Sequence, residues 1–153
     1  MNNARHYLIF SLDDQRYALP LSAVERVVRV VELVPMPKAP TAILGVVNIQ
    51  GRIIPVVSLR RQFGVEEREP DLTDQLIIIA VENRATALLV DSVLGVVESS
   101  SDRVVPSSVV SPDLSEIEGL MNIEGRTVMI QNLDALGDIG SYMNDFESER
   151  WSS

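Results

Sequence analysis

The 153-residue chain contains no cysteine and only one histidine, His6. The lack of cysteine excludes a disulfide framework and thiol chemistry. One imidazole without a set of neighbouring thiolates or carboxylates makes a poor metal site, so we interpret His6 as a structural or solvent-facing residue. We therefore predict neither a bound metal nor another cofactor.

Long apolar runs and an excess of positive charge are also missing. No segment approaches the roughly 20 consecutive apolar residues that span a bilayer, and Asp13 ends the first apolar run before it is long enough for a secretory signal. The chain carries 13 Lys and Arg against 22 Asp and Glu, a net charge of −9, which argues against a nucleic-acid partner. These absences predict a soluble cytoplasmic protein without membrane insertion.

The residue patterns of common catalytic sites are absent as well. The serines at 99–101 and 107–108 have no nearby histidine to activate a hydroxyl. The glycines do not form a phosphate-binding loop, and Asp13 and Asp14 are explained by a hairpin turn. We therefore expect an interaction module and not an enzyme, with a small-molecule sensor that uses a cavity between two subdomains as a second hypothesis.

The feature that organises the chain is an internal repeat. Residues 45–59 read GVVNIQGRIIPVVSL, and residues 119–133 read GLMNIEGRTVMIQNL. Each copy consists of two β-like runs around a tight turn, Gln50-Gly51 or Glu124-Gly125, in which glycine tolerates a positive φ. Two such hairpins in one short chain indicate a duplicated β unit.

The repeat extends beyond these hairpins, because residues 17–28 (YALPLSAVERVV) match residues 86–97 (TALLVDSVLGVV). We predict an all-β fold in which a single domain, 1–153, contains two intertwined barrels, roughly 16–66 and 76–133. The polar segment 64–73 is interpreted as a solvated connector. The apolar run 76–81 is too hydrophobic for a half-exposed sheet and predicts a strand covered on both faces.

The pattern changes after residue 133, where apolar residues recur three or four positions apart. This spacing predicts a short C-terminal helix over 134–147, weakened by two glycines and docked onto a barrel.

Four segments resemble the CheW-like domain family: YALPLSAVERV from residue 17, PTAILGVVNIQGRIIPVVSLR from residue 40, VDSVLGVV from residue 90 and GLMNIEGRTVMI from residue 119. The most specific part is the G-V-x-N-x-x-G-x-[IV]-x-P pattern. The resemblance implies two packed, five-stranded SH3-like barrels. It also implies a non-catalytic adaptor that bridges the cytoplasmic tip of a chemoreceptor to the regulatory domain of a CheA-type histidine kinase. The size of the chain, without a kinase or receiver segment, favours the coupling protein over the kinase.

Partner-binding positions are carried over from the family one at a time. Val24 and Gly45 match positions near the receptor and kinase surfaces, and Ala87, Val93 and Val96 match positions of the same kind in the second barrel. Arg26, two residues after Val24, and four positions of the first hairpin complete the candidate set: Asn48, Gln50, Gly51 and Arg52. Valine and alanine on strands usually belong to a core, and for Val96 core packing is the favoured interpretation. The two glycines, Gly45 and Gly51, can equally be required for backbone conformation alone.

The chain departs from the family pattern at two positions that form an ion pair in other members. Arg26 stands where the family usually has Glu, and Gln50 stands where it usually has Arg. A glutamine carbonyl can accept a hydrogen bond from arginine, so we hypothesise that Arg26 and Gln50 remain in contact. A third departure is Ser58, where Asp is common. These changes leave open a divergent receptor array, or a chemosensory pathway that controls pili or another output.

Overall fold

The computed structural model describes residues 4–81, 83–100, 103–113 and 115–136. Most of these residues lie in strands, and α1, Leu59–Phe63, is a single short helix in the described part of the chain. The strands are β1 Ala4–Leu12, β2 Gln15–Pro20, β3 Val24–Arg29, β4 Ile43–Ile49, β5 Arg52–Ser58, β6 Gln75–Val81, β7 Arg84–Val90, β8 Ser92–Ser100, β9 Val105–Pro106, β10 Ile117–Ile123 and β11 Arg126–Gln131. Short 3-10 turns occupy Leu21–Ala23, Ser107–Val109 and Leu133–Leu136.

The strands form two sheets, which confirms the predicted all-β fold of two barrels. The six-stranded sheet has the order β8-β1-β2-β11-β10-β9 and is called barrel A. The five-stranded sheet has the order β3-β6-β7-β5-β4 and is called barrel B. The sixth strand of barrel A is β9, which is only two residues long.

Each barrel contains strands from both sequence repeats. Barrel A joins the β1–β2 hairpin of the first repeat to β8, β10 and β11 of the second, whereas barrel B joins the β6–β7 hairpin to β3, β4 and β5. In each barrel a parallel pairing joins a strand of one repeat to a strand of the other. Ala18 pairs with Ile130 in barrel A, and Ala87 pairs with Val56 in barrel B. Each sheet therefore contains strands from both predicted subdomains, 16–66 and 76–133. Short connections follow β2 and β7, and in both repeats the next strand enters the other sheet.

Three apolar clusters fill the fold. One lies inside barrel A and includes Tyr7 and Ile9; another lies inside barrel B and includes Leu76 and Ile78. The third, called the central core, takes buried side chains from both barrels. Its largest members from β1, β2, β6 and β7 are Leu8, Phe10, Leu12, Tyr17, Leu19, Ile77, Ile79 and Leu88. Because alternate side chains of a strand point to opposite faces, β1 and β6 each supply one barrel interior and the central core.

This arrangement confirms that the apolar run 76–81 is covered on both faces. Leu76 and Ile78 face the interior of barrel B, while Ile77 and Ile79 face the central core, and all four are 0% exposed. Burying each such side chain stabilises the fold by about 1.5–3 kcal/mol.

The predicted C-terminal helix, 134–147, falls largely outside the described residues. Its first part belongs to the 3-10 turn Leu133–Leu136, whose Leu136 is buried in the central core.

Candidate protein–protein interface

The end of barrel B is built on the β4–β5 turn. Gln50 and Gly51 have φ values of 54° and 86°, as a two-residue hairpin turn with both central residues left-handed requires. The side chain of Asn48 supports the turn, since its Oδ1 accepts a hydrogen bond from the Gly51 amide at 2.9 Å. Asn122 repeats this bond to Gly125 in barrel A, also at 2.9 Å. Asn48 and Gly51 therefore have a conformational role that holds in both repeats.

The same turn reaches across to β3 at the opposite edge of the sheet. Arg26 Nη1 donates to Gln50 Oε1 at 3.4 Å, which confirms the hypothesis that these two side chains touch. Beside them, Arg52 Nη1 pairs with Glu25 Oε1 at 2.7 Å. These contacts join the first and last parts of the sheet and leave polar groups of both signs at the surface.

The ion pair between Arg52 and Glu25 is half-exposed, with side chains 49% and 43% accessible. The hydrogen bond from Arg52 lowers the pKa of Glu25 below its ordinary value. Solvent screens exposed pairs of this kind, so their contribution to stability is small.

Barrel A has a different surface at the equivalent place. The repeat aligns Leu94 with Glu25, Gly95 with Arg26, and Glu124 with Gln50. Leu94 and Val96 are 47% and 50% exposed, and they line an open groove of about 190 Å³ between β8 and the β10–β11 turn. Arg16 and Glu124 also line the groove, so the exposed Leu94 and Val96 lie beside charged side chains, whereas barrel B presents Glu25, Arg26 and Gln50 at the equivalent place.

The predicted site residues occupy different environments. Val24 and Val93 are half-buried against the central core, and Gly45 is buried beside Val34. Ala87 is 0% exposed inside barrel B, so its side chain does not reach the surface. Val96 is exposed, contrary to the core packing that its residue type favours.

Arg26, Asn48, Gln50, Gly51 and Arg52 form one surface group at the end of barrel B, and Val96 belongs to the groove of barrel A. The other predicted positions, Val24, Gly45, Ala87 and Val93, lie partly or wholly beneath the surface. The structure thus separates the predicted residues into two exposed barrel ends and a set of supporting positions. Their contact with a partner remains a prediction.

Sequence reasoning missed an ionic network where the barrels meet. Arg60, 10% exposed, donates to Asp13 at 2.8 Å and to Asp91 at 2.9 Å, and it reaches the Glu66 carbonyl at 2.7 Å. Arg68 pairs with buried Asp74 at 2.6 Å and with Asp91 at 2.7 Å. The segment 64–73, predicted as a solvated connector, is therefore fixed to the barrels through Arg68 and the Glu66 carbonyl. These acids lie far apart in sequence, so no local pattern indicates that they converge.

The network also changes the ionisation of its members. The hydrogen bond from Arg60 lowers the pKa of Asp13, and the hydrogen bond to Asp74 raises the pKa of Arg68. Ser58, where the family has Asp, caps α1 by accepting from the Arg61 amide at 3.3 Å. That substitution keeps the capping function of the position, because serine and aspartate are both good caps.

The described residues contain no group of three or more acidic, histidine or cysteine side chains placed to hold a metal ion. No helix in these parts of the chain is long and apolar enough to cross a membrane.

Two intertwined SH3-like barrels that present exposed ends define the chain as a scaffold, a class of protein that works through contacts and not through catalysis. The chain belongs to the CheW-like domain family, whose model matches residues 6–139. It is 30% identical over 137 residues to a chemotaxis protein CheW of Rhizobium meliloti, covering 88% of each chain. A CheW of Thermotoga maritima is 29% identical over 84% of this chain and 85% of its own.

Solved structures give the same result. The scaffolding protein TtCheW of Thermoanaerobacter tengcongensis superimposes with a TM-score of 0.77 at 28% identity, over 86% of this chain and 90% of that one. The protein is accordingly a non-catalytic chemotaxis adaptor of the CheW-like family.

Proposed function

We propose that this adaptor couples the cytoplasmic tip of a methyl-accepting chemoreceptor to the regulatory domain of a CheA-type histidine kinase in the cytoplasm. The observation that carries the proposal is the presence of two exposed barrel ends of different chemistry on one shared core. A bridging protein needs two surfaces that select different partners, and polar and apolar ends satisfy that need.

The end of barrel B would select its partner by charge. Arg26, Glu25 and Arg52 lie together at the surface, and such rim charges set association rate and specificity more than total affinity. The end of barrel A would contribute apolar contact through Leu94 and Val96, because exposed apolar patches mark interaction sites.

Titration calorimetry tests the proposal with two separate fragments from the source organism, the kinase regulatory domain and the receptor cytoplasmic tip. Micromolar or tighter binding of both fragments supports the adaptor. Binding of the kinase alone would indicate a competitor, and binding of neither would leave the family assignment without this function.

The variant Arg26→Glu sharpens the test. It loses the contact with Gln50 and reverses a surface charge, so we expect about tenfold weaker binding of one fragment, with melting unchanged. The matched control is Arg29→Glu, an exposed arginine on the same strand. Unfolding of Arg26→Glu, or unchanged binding of both fragments, would show that Arg26 is wrongly assigned.

A different chemosensory output is a second candidate for the same coupling activity. The chain is 28% identical over 91 residues to Protein FrzA of Myxococcus xanthus, covering 60% of this chain. Fragments of the kinases from each chemosensory pathway of the source organism, compared in the same titration, would identify the output.

A small-molecule sensor is the third candidate, and a cleft between the barrels favours it. The cleft holds about 580 Å³ and lies between α1 and the 3-10 turn Leu133–Leu136, which are equivalent in the two repeats. Polar side chains line it, among them Gln62, Glu116 and Asp134. A stabilising shift in melting temperature with a metabolite panel would support this role.

A further inference from the structure

The strand that carries the exposed apolar residues of barrel A lies at the edge of its sheet. β8 pairs with β1 and forms the first strand in the order of the sheet, so its outer backbone edge is open. A register shift opposite Ile9 and Phe10 leaves Leu94 unpaired as a bulge. Bulges redirect side chains, and this one turns Leu94 toward solvent.

A single residue, Asp91, carries the chain from barrel B into this strand, since β7 ends at Val90 and β8 begins at Ser92. The Asp91 carboxylate accepts hydrogen bonds from the Asp13 amide at 2.7 Å and from Arg60 Nη2 at 2.9 Å. Arg68 Nη2 adds a third donor at 2.7 Å. Three donor groups from three different segments therefore converge on one carboxylate.

The backbone around Asp91 is held as well. Its own amide donates to the Ser11 carbonyl at 3.0 Å, and the Val93 amide donates to Gln75 Oε1 at 2.8 Å. The first residues of β8 are thus tied to β1 on one side and to β6 on the other. The hydrogen bonds to the Asp91 carboxylate are charge-assisted, and such bonds are about twice as strong as neutral ones.

The equivalent connection between the barrels, which leads from β2 to β3, lacks this support. The repeat aligns Asp91 with Ser22, which is exposed in the 3-10 turn Leu21–Ala23. That turn has no side-chain cap and no buried residue. The repeat also aligns Arg60 with Asp134, so the acid–arginine pair occurs at one crossing and not at its equivalent.

We infer that Asp91 is a positioning residue that holds the start of β8, and with it Leu94 and Val96, in the orientation that a protein partner recognises. The inference rests on the proposed adaptor function, because it names the strand through which barrel A meets one of the two partners. Preorganisation of this kind increases affinity by reducing the ordering cost of binding.

The test uses the full chain and four variants. Val96→Glu identifies which fragment, kinase or receptor, contacts β8. Asp91→Ser places the residue of the other crossing at this one, and Asp91→Asn keeps the shape and one acceptor while removing the charge. Glu118→Ser is the matched control, an exposed acid on β10 of barrel A outside the network.

We expect Asp91→Ser to lower the affinity for one fragment by about tenfold, and this should be the fragment whose binding Val96→Glu weakens. The affinity for the other fragment should stay within about twofold of the wild type. Asp91→Asn should recover part of the lost affinity, and Glu118→Ser should match the wild type. Amide hydrogen exchange should become faster at Val93 and along the start of β8, with β4 and β5 unchanged.

Several outcomes overturn the inference. If Val96→Glu weakens neither fragment while the wild type binds both, β8 is not a docking strand although the adaptor function holds. If Asp91→Ser weakens both fragments equally, the residue supports overall stability and not the position of β8. The exchange measurement decides the positioning even if neither fragment binds the wild type, since unchanged exchange in β8 would contradict it.

Discussion

Barrels A and B have the same strand order, the same parallel closure and the same bulge, yet they present different surfaces. In barrel B the register between β3 and β6 skips Glu25, and in barrel A the register between β1 and β8 skips Leu94. The bulge therefore places one charged and one apolar side chain at equivalent points. The duplicated backbone thus preserves the position at which a side chain reaches the surface, while the residue type at that position decides what can bind there.

The largest expected effect concerns a glycine that occurs in both barrels. A Cβ on Gly45 would lie 2.8 Å from Leu33 Cδ2 and closer still to the Val34 carbonyl oxygen. A Cβ on Gly119 would lie 2.7 Å from Val104 Cγ1 and 2.9 Å from the Val105 carbonyl oxygen. Backbone atoms cannot rotate away, and the Val34 carbonyl oxygen would lie closer to the new Cβ at Gly45 than the Val105 carbonyl oxygen would at Gly119, where the other close neighbour is a side chain that can move.

We therefore expect Gly45→Ala to lower the free energy of unfolding by about 3 kcal/mol, and Gly119→Ala by about 1–2 kcal/mol. Urea unfolding of both variants measures the difference. Gly125→Ala is the control, because its φ of 80° strains alanine although nothing lies within 4 Å. Equal losses for Gly45→Ala and Gly119→Ala would contradict the difference between the barrels.

The next effect comes from converting the end of barrel A into that of barrel B. Leu94→Glu introduces the acid that pairs with Arg52 in barrel B, and the repeat supplies Arg126 as its equivalent partner. We expect about tenfold weaker binding of the partner that contacts β8, since a charge replaces apolar contact area. Stability should change by less than about 0.5 kcal/mol, because exposed ion pairs contribute little.

Calorimetry and thermal melting of Leu94→Glu provide the two measurements. Leu72→Glu is the matched control, since Leu72 is 89% exposed and lies outside both barrel ends. Unchanged affinity for both partners would mean that the groove of barrel A is not an interface.

The smallest expected effect is the pH dependence of the unfolding free energy that comes from the contact between Arg60 and Asp13. Arg60 lowers the pKa of Asp13, so the folded state favours the charged carboxylate. The stability from this contact is present above the ordinary pKa of 3.8 and is lost as pH falls through the lowered value in the folded protein. Asp13→Asn should therefore differ from the wild type most near neutral pH and converge with it in acid.

Urea unfolding at about pH 6 and at about pH 2.5 measures that convergence. Because solvent screens the half-exposed Asp13, the difference should be small at either pH. A difference in unfolding free energy that stays constant across this range would show that Asp13 does not act through its charge.

Much of the molecule could be predicted from local pattern. The repeat of GxxNIxGR with its turn glycine predicted two related hairpins, and the apolar run of β6 predicted a strand buried on both faces. Contact between Arg26 and Gln50 was predicted from a paired departure from the family pattern, and the two side chains meet at 3.4 Å.

Other features could not be predicted in this way. The position of the β1–β2 hairpin in barrel A depends on parallel pairing between β2 and β11, which lie more than a hundred positions apart. The charge run of segment 64–73 predicts a solvated loop, because the sequence does not show that Arg68 pairs with Asp74 and with the distant Asp91. The exposure of Val96 and the burial of Ala87 depend on which strand covers which, and valine and alanine fit either environment.

Alternating apolar residues and turn glycines act over a few positions of chain, so local pattern specifies the strands, the hairpin turns and the duplication. Long-range packing specifies which hairpin enters which barrel, which acids surround Arg60 and Arg68, and which side chains remain at the surface. Those choices depend on contacts between distant segments, where burial of a shared apolar core outweighs the preference of any single residue.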